Sequence, residues 1–198
     1  MMDAIHVSMK CALCGDKGCY RGQPCELSPT SEEYEGDDLE LFKCAAEVES
    51  EGYMRLCRIE EVMEFAEKMG YHRLGIAFCI GLGKEANMLH RLLSSRGFEV
   101  HSVMCKICGV NKDELELKKL GKKEIEVMCN PLTQASVLNE AGCELNLLLG
   151  LCVGHDILFT KHSNAPVSTI VVKDRVLAHN PLGALYSGYW RKRLGLKG

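Results

Sequence analysis

The chain has 198 residues, 46% of them hydrophobic and 26% charged, with 24 Lys and Arg against 27 Asp and Glu for a net charge of -3. That near balance excludes the broad basic surface needed to bind nucleic acid or an anionic membrane, and no apolar run reaches the roughly 18 residues of a membrane span. Met1 to Lys10 carries Asp3 and His6 and lacks an apolar signal core, so the expectation is a cytoplasmic protein with no membrane or nucleic-acid partner.

The 12 cysteines are the informative part of the composition. In a reducing cytoplasm thiols stay free, so this count points to metal binding or catalysis before disulfides. Exposed thiolates oxidise in aerobic cells, which makes an anaerobic cytoplasm the natural setting.

The first segment, residues 1–28, contains Cys11, Cys14, Cys19 and Cys25 interleaved with Gly15, Gly18, Gly22 and Pro24. It has too few apolar residues to build a core. Ligation of the four thiols by zinc or an iron-sulfur cluster would supply the missing folding free energy. The spacing matches neither paired C-x2-C zinc knuckles nor the bacterial ferredoxin run, so both metals stay open. Glu26 to Asp38 is acidic, holds Pro29 and Gly36, and reads as a linker.

Residues 37–70 read as a helical pair packed on the domain that follows. Leu39–Glu51 aligns Leu41, Cys44, Ala45 and Val48, and Arg58–Met69 aligns Ile59, Val62, Met63, Ala66 and Met69 before Gly70. Cys44, and Cys57 between the helices, read as small core residues.

Residues 71–198 alternate strand and helix. The expected strands are Arg73–Ile80, Val100–Cys105, Glu124–Cys129, Leu145–Leu151 and Val167–Val172. The helices expected among them are Lys84–Ser95, Asp113–Leu120, Leu132–Glu140 and Asp156–His162. A hairpin into Val176–Ala178 and a last helix around Leu182–Tyr186 follow. This order implies a Rossmann-like or flavodoxin-like, mostly parallel sheet of about five strands with helices on both faces.

Four of those strands end on thiols: Cys79, Cys105, Cys129 and Cys152. In open α/β sheets ligands sit outside the carboxyl ends of the strands, and neighbouring strands are ~4.8 Å apart, so these sulfurs can converge on one cluster or ion. Cys108 is a spare donor, and His155 is a ligand or a hydrogen-bond donor behind one. The expected function is therefore a metal-binding, iron-sulfur or zinc protein, redox-related, with a redox partner protein or small molecule. The alternatives are a zinc-stabilised binding or metal-sensing module without catalysis, and a thiol-disulfide oxidoreductase using Cys105 and Cys108. No catalytic residue is assigned.

Gly81-Leu-Gly83-Lys-Glu-Ala86 fits G-x-G-x-x-A between a strand and a helix, but Cys105 stands where a ribose-binding carboxylate belongs. A tight turn is the simpler reading, with a phosphate at the helix N-terminus left open. His179 reads as a satisfied loop histidine.

The N-terminal cysteine run, Cys129-Asn-Pro, Gly150-Leu-Cys152-Val-Gly-His155-Asp and Val172-Lys-Asp-Arg175-Val-Leu-Ala-His179-Asn-Pro-Leu together resemble one known family. That is the domain-of-unknown-function family eighteen forty-seven, over nearly the whole chain. The resemblance implies metal binding in archaea and anaerobic bacteria and assigns no activity.

Overall fold

The computed structural model describes residues 10–23 and 33–196. Two compact units divide the chain, Met1–Lys43 and Cys44–Gly198. The first holds two short 3-10 turns, Cys11–Leu13 and Gly18–Arg21, and Arg21 forms an ion pair of 2.6 Å with Asp16 in the connection between them. Tyr34 and Phe42 stack with ring centroids 4.7 Å apart.

Helix α1, Gly36–Gly52, and helix α2, Arg58–Lys68, run close to their sequence-predicted bounds. Lys68 ties them by ion pairs to Glu47 and Glu51. Cys44 is buried as expected, its thiol directed at the Phe65 carbonyl. Cys57 is instead exposed. It precedes the first residue of α2, and its backbone N–H donates to the Glu60 carboxylate at 2.8 Å, a helix-capping position that faces solvent.

The sheet has four parallel strands: β1 Arg73–Phe78, β2 Glu99–Met104, β3 Leu145–Leu149 and β4 Val167–Val171. Their order is β2-β1-β3-β4. Helix α3, Gly83–Ser95, links β1 to β2; α4, Pro131–Glu140, precedes β3; and α5, His155–His162, links β3 to β4. Two short helices, α6 Gly183–Tyr186 and α7 Gly188–Arg193, follow.

Strand alternation sorts the core into two faces. Leu74, Ile76, Leu145, Leu147 and Leu149 pack with α2 and α3 through Met63, Ala66, Leu89 and Leu93. Ala77, Cys79, Val103, Cys105 and Leu148 face the other way, toward Ala135 and Leu138 of α4 and Phe159 of α5. Burial of the large side chains among these, each Leu, Ile, Val, Met or Phe contributing about 1.5–3 kcal/mol, supplies the main stabilisation.

The expected strand Glu124–Cys129 is absent from the sheet. A strand buried on both faces needs a continuous apolar run, as in β3, where every residue is buried. Glu124-Ile-Glu126 lacks such a run, and unlike the edge strand β2, which also carries Glu99, His101 and Ser102, the segment gives its backbone to residues 110–112. Its segment makes only an antiparallel bridge, Asn111 with Val127, closed by the Lys112–Glu126 ion pair. The expected helix 113–120 is likewise reduced to a 3-10 turn, Lys112–Leu115, ended by Glu116 in the left-handed region. Val176–Ala178 forms no strand either. The Asp174 carboxylate accepts from the N–H groups of Val176 and Leu177, at 2.9 and 2.8 Å, and Ala178 and His179 have positive φ, so the chain turns there.

Gly75 on β1 lies opposite the fully buried Asn146 on β3. A Cβ at residue 75 would stand 2.0 Å from Asn146 Oδ1 and 2.9 Å from Leu138 Cδ1. Gly75→Ala should therefore destabilise the fold by roughly 2–3 kcal/mol through overpacking, read as a lower urea midpoint with an unchanged slope. An unchanged midpoint would show that β1 and β3 are not so closely packed.

Candidate functional site

The site is built from strand ends. Phe78 and Met104 are paired in register, so the next residues, Cys79 and Cys105, lie side by side. The ladder continues through them: the Cys79 N–H donates to the Leu149 carbonyl at 3.1 Å and that of Cys105 to the Phe78 carbonyl at 2.8 Å. Alternation turns both thiols toward α4, where they are 7% and 3% exposed.

Cys129 reaches the same edge without belonging to a strand. The Asn130 N–H donates to the Cys105 carbonyl at 2.8 Å, and Asn130 then caps α4 by accepting from the Thr133 N–H at 3.2 Å. Pro131 occupies the first turn of the helix. Gln134, one turn further on, is fully buried. Its Nε2 donates to the Val103 carbonyl at 2.7 Å and to the Phe78 carbonyl at 3.4 Å. The start of α4 is thereby fastened to the ends of β1 and β2.

The Cys105 thiol donates to Cys129. This hydrogen bond, reinforced by the charges of Lys106 and His155, outweighs burial and lowers the Cys129 thiol to about 5. The same bond, followed by burial and the nearby Cys129 and Cys79, raises Cys105, while the Ile80 N–H at 3.4 Å opposes it. The two shifts run in opposite directions, so a thiolate in this pair is favoured on Cys129 over Cys105. Lys106 also donates to the Val127 carbonyl, which keeps it beside Cys129.

Cys152 lies three residues beyond β3, just before α5. The Arg175 guanidinium donates to its sulfur at 3.0 Å. That bond, and the charges of Cys152, Cys79 and Cys129, raise the Arg175 pKa further above its usual value. The guanidinium thus sits within electrostatic range of three of the four edge thiols.

The remaining candidates divide. His155 opens α5 close enough to act on Cys129. Cys108 is exposed in a left-handed conformation and its thiol makes no hydrogen bond among the described residues, whereas the thiol of Cys105 is paired with Cys129. Cys11, Cys14 and Cys19 are exposed, with the Lys17 N–H donating to the Cys14 sulfur at 3.3 Å; Cys25 lies outside the described residues. Among the described residues, no three His, Cys, Asp or Glu side chains stand together as a closed metal-holding group. His179 accepts from the Asp174 N–H at 3.1 Å and stabilises its own loop.

Arg175, Lys106 and Gln134 were not singled out from the sequence. Arg175 is signalled only by the motif Val172-Lys-Asp-Arg175, and Gln134 by a polar residue on the inner stripe of α4.

In metal-free protein, Cys129 should be alkylated by iodoacetamide at a rate that is flat above roughly pH 6 and falls as pH drops through about 5, since only the thiolate reacts. Cys105→Ala removes the hydrogen bond that favours the thiolate, so the rate at roughly pH 6 should fall on the order of tenfold. Peptide mapping by mass spectrometry reads both; a rate still climbing through roughly pH 8 would mean an ordinary thiol.

The family described as protein of unknown function (DUF1847) matches residues 21–170. An uncharacterized protein of Methanocaldococcus jannaschii is 50% identical over 190 residues, which cover 94% of this chain and 98% of the relative. The family match spans Cys79, Cys105, Cys129 and Cys152 and begins after Cys19. With three quarters of its length matched and a near full-length relative at this identity, the chain belongs to the DUF1847 family.

Proposed function

We propose that the protein binds a metal centre through Cys79, Cys105, Cys129 and Cys152 at the carboxyl edge of the sheet, an iron-sulfur cluster in preference to zinc, and works in electron transfer or small-molecule redox chemistry. The carrying observation is the shared edge itself. Four thiols from three strand ends and a helix lead-in interact through one thiol–thiolate hydrogen bond and a common guanidinium. An all-sulfur donor set suits zinc or iron-sulfur clusters over the hard cations.

The surroundings support the same reading. Lys106 and Arg175 donate to sulfur, which offsets the negative charge of several thiolates. Cys79 and Cys105 are shielded from solvent, and Gln134 fixes the helix start beside them. A bound iron-sulfur cluster would supply one-electron transfer, whereas zinc would supply rigidity. The N-terminal Cys11, Cys14, Cys19 and Cys25 form a second proposed site, on the argument that their segment lacks a core.

The hydrogen bond between Cys105 and Cys129 favours one competing reading, a dithiol. Cys129 thiolate would attack a partner disulfide and release one partner thiolate. Cys105, after losing its proton, would then resolve the mixed disulfide, leaving a Cys105–Cys129 disulfide and a reduced partner.

Anaerobic purification with elemental analysis and a visible spectrum separates these. Iron with inorganic sulfide and a broad visible band is the expected result, and Cys129→Ser should abolish the band while Cys108→Ser preserves it. Bound zinc without colour would select the zinc reading. Protein purified without any metal would leave the dithiol in its place.

Deleting residues 1–28 should remove the N-terminal metal and retain the visible band. Retention of all bound metal would overturn the second site.

A further inference from the structure

The strand order β2-β1-β3-β4 reverses direction at β1: the chain passes from β1 outward to β2, then returns across β1 to β3. The crevice at such a reversal, between the carboxyl ends of β1 and β3, is where open parallel sheets seat ligands. Here it is bounded by Cys79 to Gly83 after β1 and by Gly150 to Gly154 after β3.

The segment after β4 returns over this crevice and brings two cations. Lys173 Nζ stands 3.9 Å from where a Cβ of Gly81 would lie and 3.7 Å from that of Gly150, so it reaches the loops on both sides. Gly150 has φ +70°, and a Cβ there would fall 2.3 Å from Leu82 Cδ1. Only glycine lets the two loops come this close beneath the ammonium. Arg175, two residues on, lies against Cys152 on the same side.

Lys173 has no anionic partner among the described residues, and Arg175 is held by the Cys152 sulfur, not by a carboxylate. Neither Lys173 nor Arg175 forms an ion pair with a carboxylate among the described residues, although Lys68, Lys112 and Lys119 all do. The nearby carboxylates are committed elsewhere: Asp174 accepts from the N–H groups of Val176 and Leu177, and Asp156 from that of Ile157. Lys173 is half-buried and makes no hydrogen bond among the described residues. A partly desolvated ammonium in that position is stabilised by an anion. Helices α3 and α5 begin on either side of the crevice, and neither has a side-chain cap, which adds two positive dipole ends to the same space.

We propose that the β1–β3 crevice binds the phosphate group of a small molecule, held by Lys173 and Arg175 beside the cysteine edge. The inference stands on the cations and the topology, independently of any metal on the thiols. Inorganic phosphate and a phosphate monoester share the chemistry that these residues recognise. A monoester that binds more tightly than the free ion would show that the site takes the ester.

The test is titration of the full-length, anaerobically purified protein with inorganic phosphate and with glycerol phosphate, at constant ionic strength in chloride. Saturable binding is expected. Lys173→Gln should weaken it at least about tenfold, the loss of one charge-assisted hydrogen bond. Lys173→Arg should retain it, and so should Lys161→Gln in the last turn of α5. Metal content should be equal in all four proteins, so a fault in the thiol site would be seen separately. Absence of saturable binding in the unaltered protein, or equal binding by Lys173→Gln, would overturn the proposal. Should Lys173→Gln fail to fold, loss of binding in the folded Lys173→Arg would overturn it as well.

Discussion

The site depends on one buried amide. Gln134 spends its donor on the carbonyls of Val103 and Phe78, the last turns of two adjacent strands, from the first turn of α4. The Nε2 group would be costly to bury without these acceptors, which specifies its position, while the buried Oε1 has no partner among the described residues. That specification extends to Cys129, which precedes the helix by two residues and would otherwise lie at the end of a long irregular connection. Fixing the start of α4 against β1 and β2 makes a loop cysteine a neighbour of two strand cysteines.

Period-two alternation completes the arrangement. Cys79 and Cys105 share the face of Ala77 and Val103, which is the face that α4 covers. Their partners could not exchange with those on the α2 and α3 side without a one-residue slip, and such a slip would carry Leu74 and Ile76 to the α4 side and leave the smaller Gly75 and Ala77 facing α2 and α3, misfilling both. The hydrophobic core and the thiol pair are therefore set by the same register. Gly75 belongs to this constraint, because it alone leaves space for Asn146 across the ladder.

The electrostatic character of the edge is positive and sulfur-rich. Lys106, Arg175 and Lys173 approach it, and the carboxylates nearest to them cap turns. This combination suits a site where several thiolates are present together, and it suits an anionic ligand beside them. Strand topology explains why the residues come from such distant parts of the chain. Loops after β1 and β3 meet at the reversal of strand order, and the return after β4 passes over both.

Much of this was legible in the residues alone. The strands β1, β2, β3 and β4, both helices before them, and α3, α4 and α5 follow from apolar periodicity, and their ends on cysteine follow from spacing. The number of strands did not follow. Glu124-Ile-Glu126-Val-Met-Cys129 alternates well enough to read as a strand, as the similarly polar β2 does, but its backbone pairs with residues 110–112, and which segment joins the ladder is a property of the assembled sheet. Local pattern likewise placed Cys57 in the core, whereas its helix-capping position keeps it in solvent. By itself the sequence determined a parallel α/β core with thiols along one edge, because side-chain period and strand direction are local properties. Only the tertiary structure decided that Cys105 pairs with Cys129 and not with Cys108, and that Arg175 and Lys173 overhang the crevice. Those are contacts between segments brought together by burial, which spacing along the chain does not encode.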